Sequence, residues 1–457
     1  MYINMNKIIS PRIASGTMEL LPKEQILFQR MLAVITAWYE RFGFVPLETP
    51  VFELKDVLLT KSGGETEKQV YFVQSTGSLQ QGHEPELALR FDLTVPLARY
   101  VAQHERELYF PFRRYQIQRV YRGERAQKGR FREFYQCDVD IIGKDSLSHF
   151  YDAEIPAIIA GIFEELNVGD FTIHFSNRKI LKGLLNSMGA ADSEVQTLVL
   201  REVDKIDKIG KEKVSEAIIN LGITSDNANV ILGVITFQGT NSETLQYLSS
   251  LGIKDELFLQ GVEEVSSLIN SLNSMSVPEN RTKFNLSIAR GLDYYTGTVY
   301  ETLINNHPEF GSVCSGGRYD DLASHYTKSN LPGVGISIGL TRLFDQLLSS
   351  DLLKDVAVSD AMTEVLIANV SSELRADYLE LAVVLRKAGF KVSVYMDDAK
   401  LDKQLRYADK AFIPVVLFLG EEEKKNNSVI VKNMKSKEQK IVELSGIADA
   451  VRLSLGV

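Results

Sequence analysis

The chain has 457 residues, a net charge of −9, and 44% hydrophobic against 24% charged residues. That is the profile of ordinary globular domains, with length for about three of them. Two cysteines, Cys137 and Cys314, and six scattered histidines have no ligand spacing, which argues against a disulfide framework and against a zinc site. No apolar run like that of a signal peptide opens the sequence, and AFIPVVLFLG near its far end is too short to cross a bilayer. A cytoplasmic protein without membrane contact or a protein-held metal is expected. The acidic balance argues mildly against nucleic acid, although local basic patches can hold an RNA on an acidic protein.

In chain order, residues 23–42 place Leu27, Met31, Val34, Ile35, Trp38 and Phe42 at helical spacing, which predicts an amphipathic helix packed on a core. Short alternating segments follow at 69–74, 87–91, 116–121 and 135–142. With no crossover helices between them, antiparallel sheet is the economical reading. From about 176 to 280 the texture changes to helical runs with charged faces and short Asn/Gly/Ser breaks, as in an inserted helical domain. Sheet-type alternation resumes at Phe284 and ends in what reads as a glycine-punctuated helix over 333–348. After a linker, the order strand 365–370, helix 373–388, strand 391–395, helix 400–411 and strand 414–419 predicts a separate α/β domain. Lys/Arg and Asp/Glu are nearly balanced in that tail.

Residues 122–143, RGERAQKGRFREFYQCDVDIIG, are the most informative stretch. Arginines alternate with aromatics and then give way to acidic residues between apolar ones, which suits a strand, a loop and a second strand. Cations are concentrated here in an otherwise acidic chain, so an anion such as phosphate is a candidate ligand. In the second half Gln136, Asp138 and Asp140 recur at period 2 and share one strand face, where a cationic or hydrogen-bond-donating ligand would fit. From charge pattern alone, solvated strand arginines pairing with Glu124 and Glu133 is the alternative reading.

That stretch resembles motif 2 of the class II aminoacyl-tRNA synthetases in the form used by the histidyl-tRNA synthetases. Other parts of the pattern follow in order. ARGLDYYTGTVYE at 289–301 resembles the family's histidine-binding signature, CSGGRYDDL at 314–322 its Gly-rich loop, and GVGISIGLTRL at 333–343 motif 3. Residues 44–53, with Pro50 near the centre, match motif 1.

The resemblance implies an α+β class II catalytic domain, an antiparallel sheet flanked by helices, in two parts at 1–175 and 281–351. Residues 176–280 would be a helical insertion, 352–363 a linker, and 364–457 an α/β anticodon-binding domain. It implies a homodimer joined through motif 1, with L-histidine, ATP and tRNA(His) as partners and ATP with Mg2+ as the cofactor pair. Arg290 and Arg122 become the catalytic candidates beside the α-phosphate. A guanidinium suits such a place because its planar fork binds two oxygens and keeps its charge. Arg122, Glu124, Arg130, Phe134, Gly339 and Arg342 become the ATP set, with Phe134 stacking on adenine. Histidine falls to Asp92, Thr94 and Gln136 at its polar backbone end and to Asp140, Tyr294, Tyr295 and Tyr319 around its side chain, with Arg122 and Arg290 also in its binding set.

Two departures stand out: Thr341 precedes Arg342 where the family commonly has glutamate, and Met18 and Glu19 replace a basic residue and an aspartate near the N-terminus. Asp92, in LRFDLTVPLARY, has capping of a following helix as its alternative role. Two other functions share this fold. One is the non-catalytic paralogue that regulates ATP phosphoribosyltransferase, which typically lacks the tail and erodes the arginines. The other is a class II enzyme for another amino acid such as proline or glycine, disfavoured by RGLDYY and Asp140.

Overall fold

The computed structural model describes residues 9–59, 69–125, 129–203, 205–288, 295–353 and 362–456. The chain divides into two compact units, Met1–Glu19 with Leu32–Asp355 and Leu20–Met31 with Val356–Val457. The helix Pro22–Arg41 opens with proline, whose missing N–H costs nothing in the first turn, and buries Phe28, Met31, Ile35 and Tyr39 at 3.6-residue spacing.

Eleven described strands belong to the first unit: β1 (Val45–Pro46), β2 (Phe52–Leu54), β3 (Phe72–Val73), β4 (Leu87–Leu89), β5 (Phe112–Tyr121), β6 (Glu133–Ile142), β7 (Phe171–Asn177), β8 (Thr282–Phe284), β9 (Thr298–Ile304), β10 (Cys314–Tyr319) and β11 (Gly333–Gly339). Eight of them form one sheet in the order β1-β5-β6-β11-β10-β9-β7-β8, antiparallel except at its two ends, where β1 joins β5 and β8 joins β7 in parallel. The remaining three make a small antiparallel sheet ordered β2-β4-β3. Alternation sorts the two faces of the large sheet. Cys137, Val139 and Ile141 of β6 lie level with Ile338, Ile336 and Val334 of β11, and all are buried. The helices Tyr151–Leu166 and Leu340–Ser349 pack against these central strands. The opposite face carries Gln136, Asp138 and Asp140 beside Gly339, Ser337 and Gly335.

Two segments differ from the sequence expectation. Residues 333–339 are a strand, and the helix starts only at Leu340. The period in GVGISIG is 2, with Val, Ile and Ile on the core side and small residues on the other, so the glycines mark a close approach across the sheet rather than breaks in a helix. Likewise CSGGRY is the strand β10 and not a loop. A Cβ on Gly316 would lie 2.2 Å from the carbonyl oxygen of Gly335 on the neighbouring strand.

Between β7 and β8 the described chain is helical, from Arg178–Ser187 through to Glu256–Ser274. The sequence marks these helix starts clearly. Asn177, Thr224, Thr240 and Asp255 each accept a backbone N–H at an N-terminus, and Thr240 with Glu243 forms a reciprocal capping box.

In the second unit β12 (Val365–Ile367), β13 (Val392–Val394), β14 (Val415–Phe418), β15 (Ser428–Asn433) and β16 (Gln439–Glu443) form a sheet ordered β13-β12-β14-β15-β16. The first three strands run parallel, and the last two add an antiparallel hairpin that the alternation of strand and helix did not anticipate. Val365, Leu366 and Ile367 are all fully buried, as expected of a central parallel strand covered on both faces.

Candidate active site

The long hairpin of β5 and β6 builds the site. Its register sets Arg114 opposite Asp140, Gln116 opposite Asp138 and Gln118 opposite Gln136, so one face of the two strands is polar over three successive pairs, between Phe112 with Ile142 at one end and Val120 with Phe134 at the other. Two regions lie along that face.

The first is a cavity of about 400 Å³ at the open end of the hairpin. All six residues expected to hold ATP line it: Arg122, Glu124, Arg130, Phe134, Gly339 and Arg342. Arg122 is held by its Nε, which donates to the carbonyl of Phe91 at 3.1 Å, and its guanidinium sits 5.1 Å from the ring centroid of Phe134. Arg130 is exposed and reaches Glu124 at 3.5 Å. Arg342, on the first turn of the helix Leu340–Ser349, donates through Nη2 to the carbonyl of Phe310, which also receives Gln346. Burial and the nearby Arg130 lower its affinity for its proton, and its Nε is buried without a hydrogen-bond partner among the described residues. Three guanidinium groups therefore face one cavity in an acidic protein, and an anion there would relieve both repulsion and desolvation. Thr341 holds the strand end beside them, since its hydroxyl accepts the N–H of Tyr135 at 2.8 Å and extends the pairing of β6 one residue beyond Gln136. Gly16, just ahead of the Met18–Glu19 departure, offers its carbonyl to the N–H of Arg132 at 2.7 Å.

The second region lies deeper on the face. Asp140 is buried and fully engaged, Oδ2 pairing with Arg114 at 2.7 Å and Oδ1 accepting the Tyr319 hydroxyl at 2.9 Å. Tyr319 is thereby committed as a donor to Asp140, so toward a ligand its oxygen can act only as an acceptor. Glycines make this possible: a Cβ on Gly335 would fall 2.1 Å from Asp140 Oδ1, and one on Gly333 2.4 Å from the Tyr319 ring. Asp92 precedes the helix Thr94–Gln103 and caps it, Oδ1 accepting the N–H of Val95 at 3.1 Å while Oδ2 is buried with no partner among the described residues. The capping role and an unpaired oxygen thus coexist in one carboxyl. Thr94 is half-buried in the first turn of the same helix. Gln136 donates to Ser337 at 2.9 Å, keeps its Oε1 unpaired among the described residues, and also lines the cavity, so it joins the two regions. Tyr295 is half-buried beside the cluster that holds Tyr319, its carbonyl accepting Arg178 at 2.7 Å. Arg290 and Tyr294 lie outside the described residues.

Three carboxyls, Asp92, Asp138 and Asp140, interact with the buried cation Arg114. Burial pushes Asp138 up to about 7 and Asp92 up to about 6, only partly countered by Arg114 on the first and by the Val95 N–H and Arg122 on the second. Asp140 is also raised by burial, against the pull of Arg114 and the Tyr319 hydroxyl. The buried cluster is therefore acidic, its carboxyls raised by burial, and a cation or a hydrogen-bond donor would suit it as an anion would suit the cavity beside it.

Sequence reasoning did not place Arg114, Ser337 or Gly335 in the site, and it left Asp138 on the face without a role. Arg114 was visible as one of many arginines in a basic stretch. What singles it out is its register with Asp140, which a single sequence does not display.

Comparisons with known proteins give the family. A family model described as histidyl-tRNA synthetase matches residues 16–343, and one described as an anticodon-binding domain matches 364–453. The histidine–tRNA ligase of Stenotrophomonas maltophilia (strain K279a) is 52% identical over 460 residues, covering 98% of this chain and 99% of that protein. That of Xanthomonas axonopodis pv. citri (strain 306) is 52% identical over 466 residues, covering 98% and 97%. The crystal structure of histidyl-tRNA synthetase from Nostoc sp. PCC 7120 superposes with a TM-score of 0.89 at 37% identity, over 98% of this chain and all of that one. An ATP phosphoribosyltransferase regulatory subunit/histidyl-tRNA synthetase from Bacillus halodurans C shares the fold at 21% identity with a TM-score of 0.72 over 88% of this chain. The chain belongs to the histidyl-tRNA synthetase family, with a class II catalytic domain followed by an anticodon-binding domain.

Proposed function

We propose that this protein is a histidine–tRNA ligase: it activates L-histidine with ATP to histidyl-adenylate and pyrophosphate, then passes the histidyl group to the terminal ribose of tRNA(His). The observation that carries this reading is one sheet face bearing an arginine-lined cavity and, continuing from Gln136 at its edge, a buried acidic cluster that includes Asp140 bonded to Tyr319. In activation the histidine carboxylate attacks the α-phosphorus, and negative charge builds on the phosphoryl oxygens and on the leaving pyrophosphate. Fixed cations stabilise that charge. Arg122 serves the α-phosphate, Arg342 and Arg130 the remaining phosphates, and Phe134 the adenine face, with Gly339 leaving room at the strand end. Arg290 is the second catalytic arginine, assigned on its RGLDYY context.

Histidine presents its ammonium to Asp92 Oδ2 and Gln136 Oε1, both buried and unpaired among the described residues, with Thr94 beside them. Its imidazole N–H is accepted at Asp140 and Tyr319, flanked by Tyr294 and Tyr295. A pocket of such groups leaves them unpaired when an apolar amino acid enters, which gives selectivity without editing. Among the described residues no group of three or more His, Cys, Asp or Glu side chains is placed to hold a metal. Glu124 is the carboxylate among the cavity-lining residues. That donor set fits a magnesium ion carried chiefly by the nucleotide's phosphates, with Glu124 its protein contact, where the ion would neutralise pyrophosphate charge.

Residues 364–457 bind the anticodon, reading splayed bases rather than a duplex interior. A homodimer through motif 1 is supported by Phe52, Leu54 and Leu87, which are 53%, 54% and 40% exposed on one side of the small sheet. An apolar face of that kind suits a twofold partner. No described helix is long and apolar enough to cross a membrane, and we place the protein in the cytoplasm. The regulatory-paralogue reading is disfavoured by the intact Arg122 and Arg342 and by the tail. Pyrophosphate exchange measured with each of the twenty amino acids tests the assignment. Exchange with histidine alone is expected, and absence of any exchange would overturn it.

A further inference from the structure

Arg114 is the least accounted-for charge in the site. It is 0% exposed, is the third residue of β5, directly opposite Asp140, and keeps Nε and Nη1 without partners among the described residues. Its firm contact is Nη2 to Asp140 Oδ2 at 2.7 Å; the other, from Nη2 to the carbonyl of Leu93, is at the 3.5 Å limit of a hydrogen bond. A cation fully removed from water is retained at a cost, and packing does not explain it, since an apolar side chain would fill the same place without desolvating a charge.

Resting on the reading of the site as a histidine pocket, we propose that Arg114 is a specificity-determining positioning residue: it holds the Asp140 carboxylate ionised and fixed in direction, so that the pocket presents a charged acceptor to the substrate's imidazole N–H. The neighbours support this. Asp140 faces Arg114 from β5, Tyr319 from β10, the backbone of Gly335 on β11, and the negative ends of Asp138 and Asp92. Burial favours a protonated Asp140. Arg114 is the cation that opposes it, while the Tyr319 hydroxyl assists by hydrogen bonding. Without Arg114 the carboxyl would hold its proton to higher pH, and an acceptor would become a donor aimed at a donor. Rigid direction follows from the same bonds: each oxygen has one partner, Arg114 on the adjacent β5 and Tyr319 on β10 beyond β11, so the carboxylate cannot rotate without losing both.

The sign of the pH effect distinguishes this role from a structural one. In Arg114→Gln the proton on Asp140 must be lost before histidine is bound well. The KM for histidine in pyrophosphate exchange should therefore rise tenfold or more at pH 7 and fall back progressively as the pH is raised and Asp140 gives up its proton. The wild type should show no such recovery. The KM for ATP should stay within about threefold, and kcat at saturating histidine should fall less than the histidine KM rises. Arg114→Lys, which keeps a cation there, should recover most of the loss. Should Arg114→Gln not fold, Asp140→Asn and the pair Arg114→Gln/Asp140→Asn decide the question, because the double variant buries no unpaired charge. Both should have the same histidine KM if Arg114 acts through Asp140. A further tenfold weakening in the double variant, equal losses for histidine and ATP, or a pH-independent loss would overturn the proposal. Histidine-dependent exchange by the wild type tests the underlying assignment separately.

Discussion

Asp138 lies 2% exposed on the polar sheet face, with Ser337 hydrogen-bonded to its side chain and Oδ1 unpaired among the described residues. Burial raises it from 3.8 to about 7, with Arg114 pulling the other way and Asp140 and Asp92 reinforcing the rise. Below about pH 4 both folded and unfolded chains hold the proton, and the group makes no difference. Between about pH 4 and 7 the unfolded chain has released it while the folded chain has not, so stability falls as pH rises, and above 7 the loss is complete. About two of the three raised units lie above pH 5, so at 1.36 kcal/mol each the loss between pH 5 and pH 8 is roughly 3 kcal/mol. Asp138→Asn abolishes it. The amide also changes local hydrogen bonding, but that offset is the same at both pH values and cancels from the difference. Thermal melts of variant and wild type at equal scan rate should therefore show the variant gaining on the wild type by roughly 5 °C between pH 5 and pH 8. An equal difference in melting temperature at the two pH values would refute the reasoning and show that Asp138 is ionised in the folded protein at pH 5.

Gly335→Ala should destabilise by about 1–3 kcal/mol, because its Cβ would meet both Asp140 Oδ1 and the backbone carbonyl of Val139, at 2.1 and 2.6 Å; steady-state exchange should show the histidine KM raised and the ATP KM little changed. Asp140→Asn should weaken histidine binding by roughly 1–3 kcal/mol, and since it also leaves Arg114 facing a neutral amide, calorimetric titration with histidine and with ATP should be accompanied by a lower melting temperature. Arg290→Ala should remain folded and lose about 10² to 10³ in the rate of adenylate formation, and near-normal single-turnover adenylate formation would remove it from the catalytic role. A chain ending at residue 360 should retain histidine-dependent exchange while charging tRNA poorly, which aminoacylation assays against exchange assays will separate.

The extent to which fold and site were legible follows from which physical signals are local. The helix Pro22–Arg41, the β5–β6 hairpin and the helix starts capped by Thr240 and Asp255 are written in periodicity and in capping residues a few positions apart, and they occur where the pattern puts them. The strands β10 and β11 were misread because glycine signals a turn or a break locally. In these strands glycine acts across the sheet instead, Gly335 making room for Asp140 and Gly316 for the neighbouring backbone. The β15–β16 hairpin was missed for lack of a two-residue turn signature, as its connection runs through NMKSK. The arginine cavity was legible because motif resemblance carries whole constellations at once, and Arg122, Glu124, Arg130, Phe134, Gly339 and Arg342 do line one space. The ion pair under the acidic pocket was not.

That last gap has a specific cause. Asp140 and Arg114 are 26 residues apart in sequence and become neighbours only because β5 and β6 pair without a bulge over ten successive residues, from Phe112 with Ile142 to Tyr121 with Glu133. A one-residue slip would turn Arg114 or Asp140 to the apolar face, where Val139 and Ile141 now sit, and would bury an unpaired charge. The pair therefore has two consequences. It penalises every wrong register of the hairpin that also carries Arg122 and Phe134, and, in the function proposed above, it sets the charge of the acceptor for the substrate's imidazole. On that proposal folding specificity and substrate specificity in this sheet depend on the same two residues, so a substitution at either is expected to disturb both, whereas one at Arg130, exposed at the rim of the cavity, is expected to disturb only nucleotide binding.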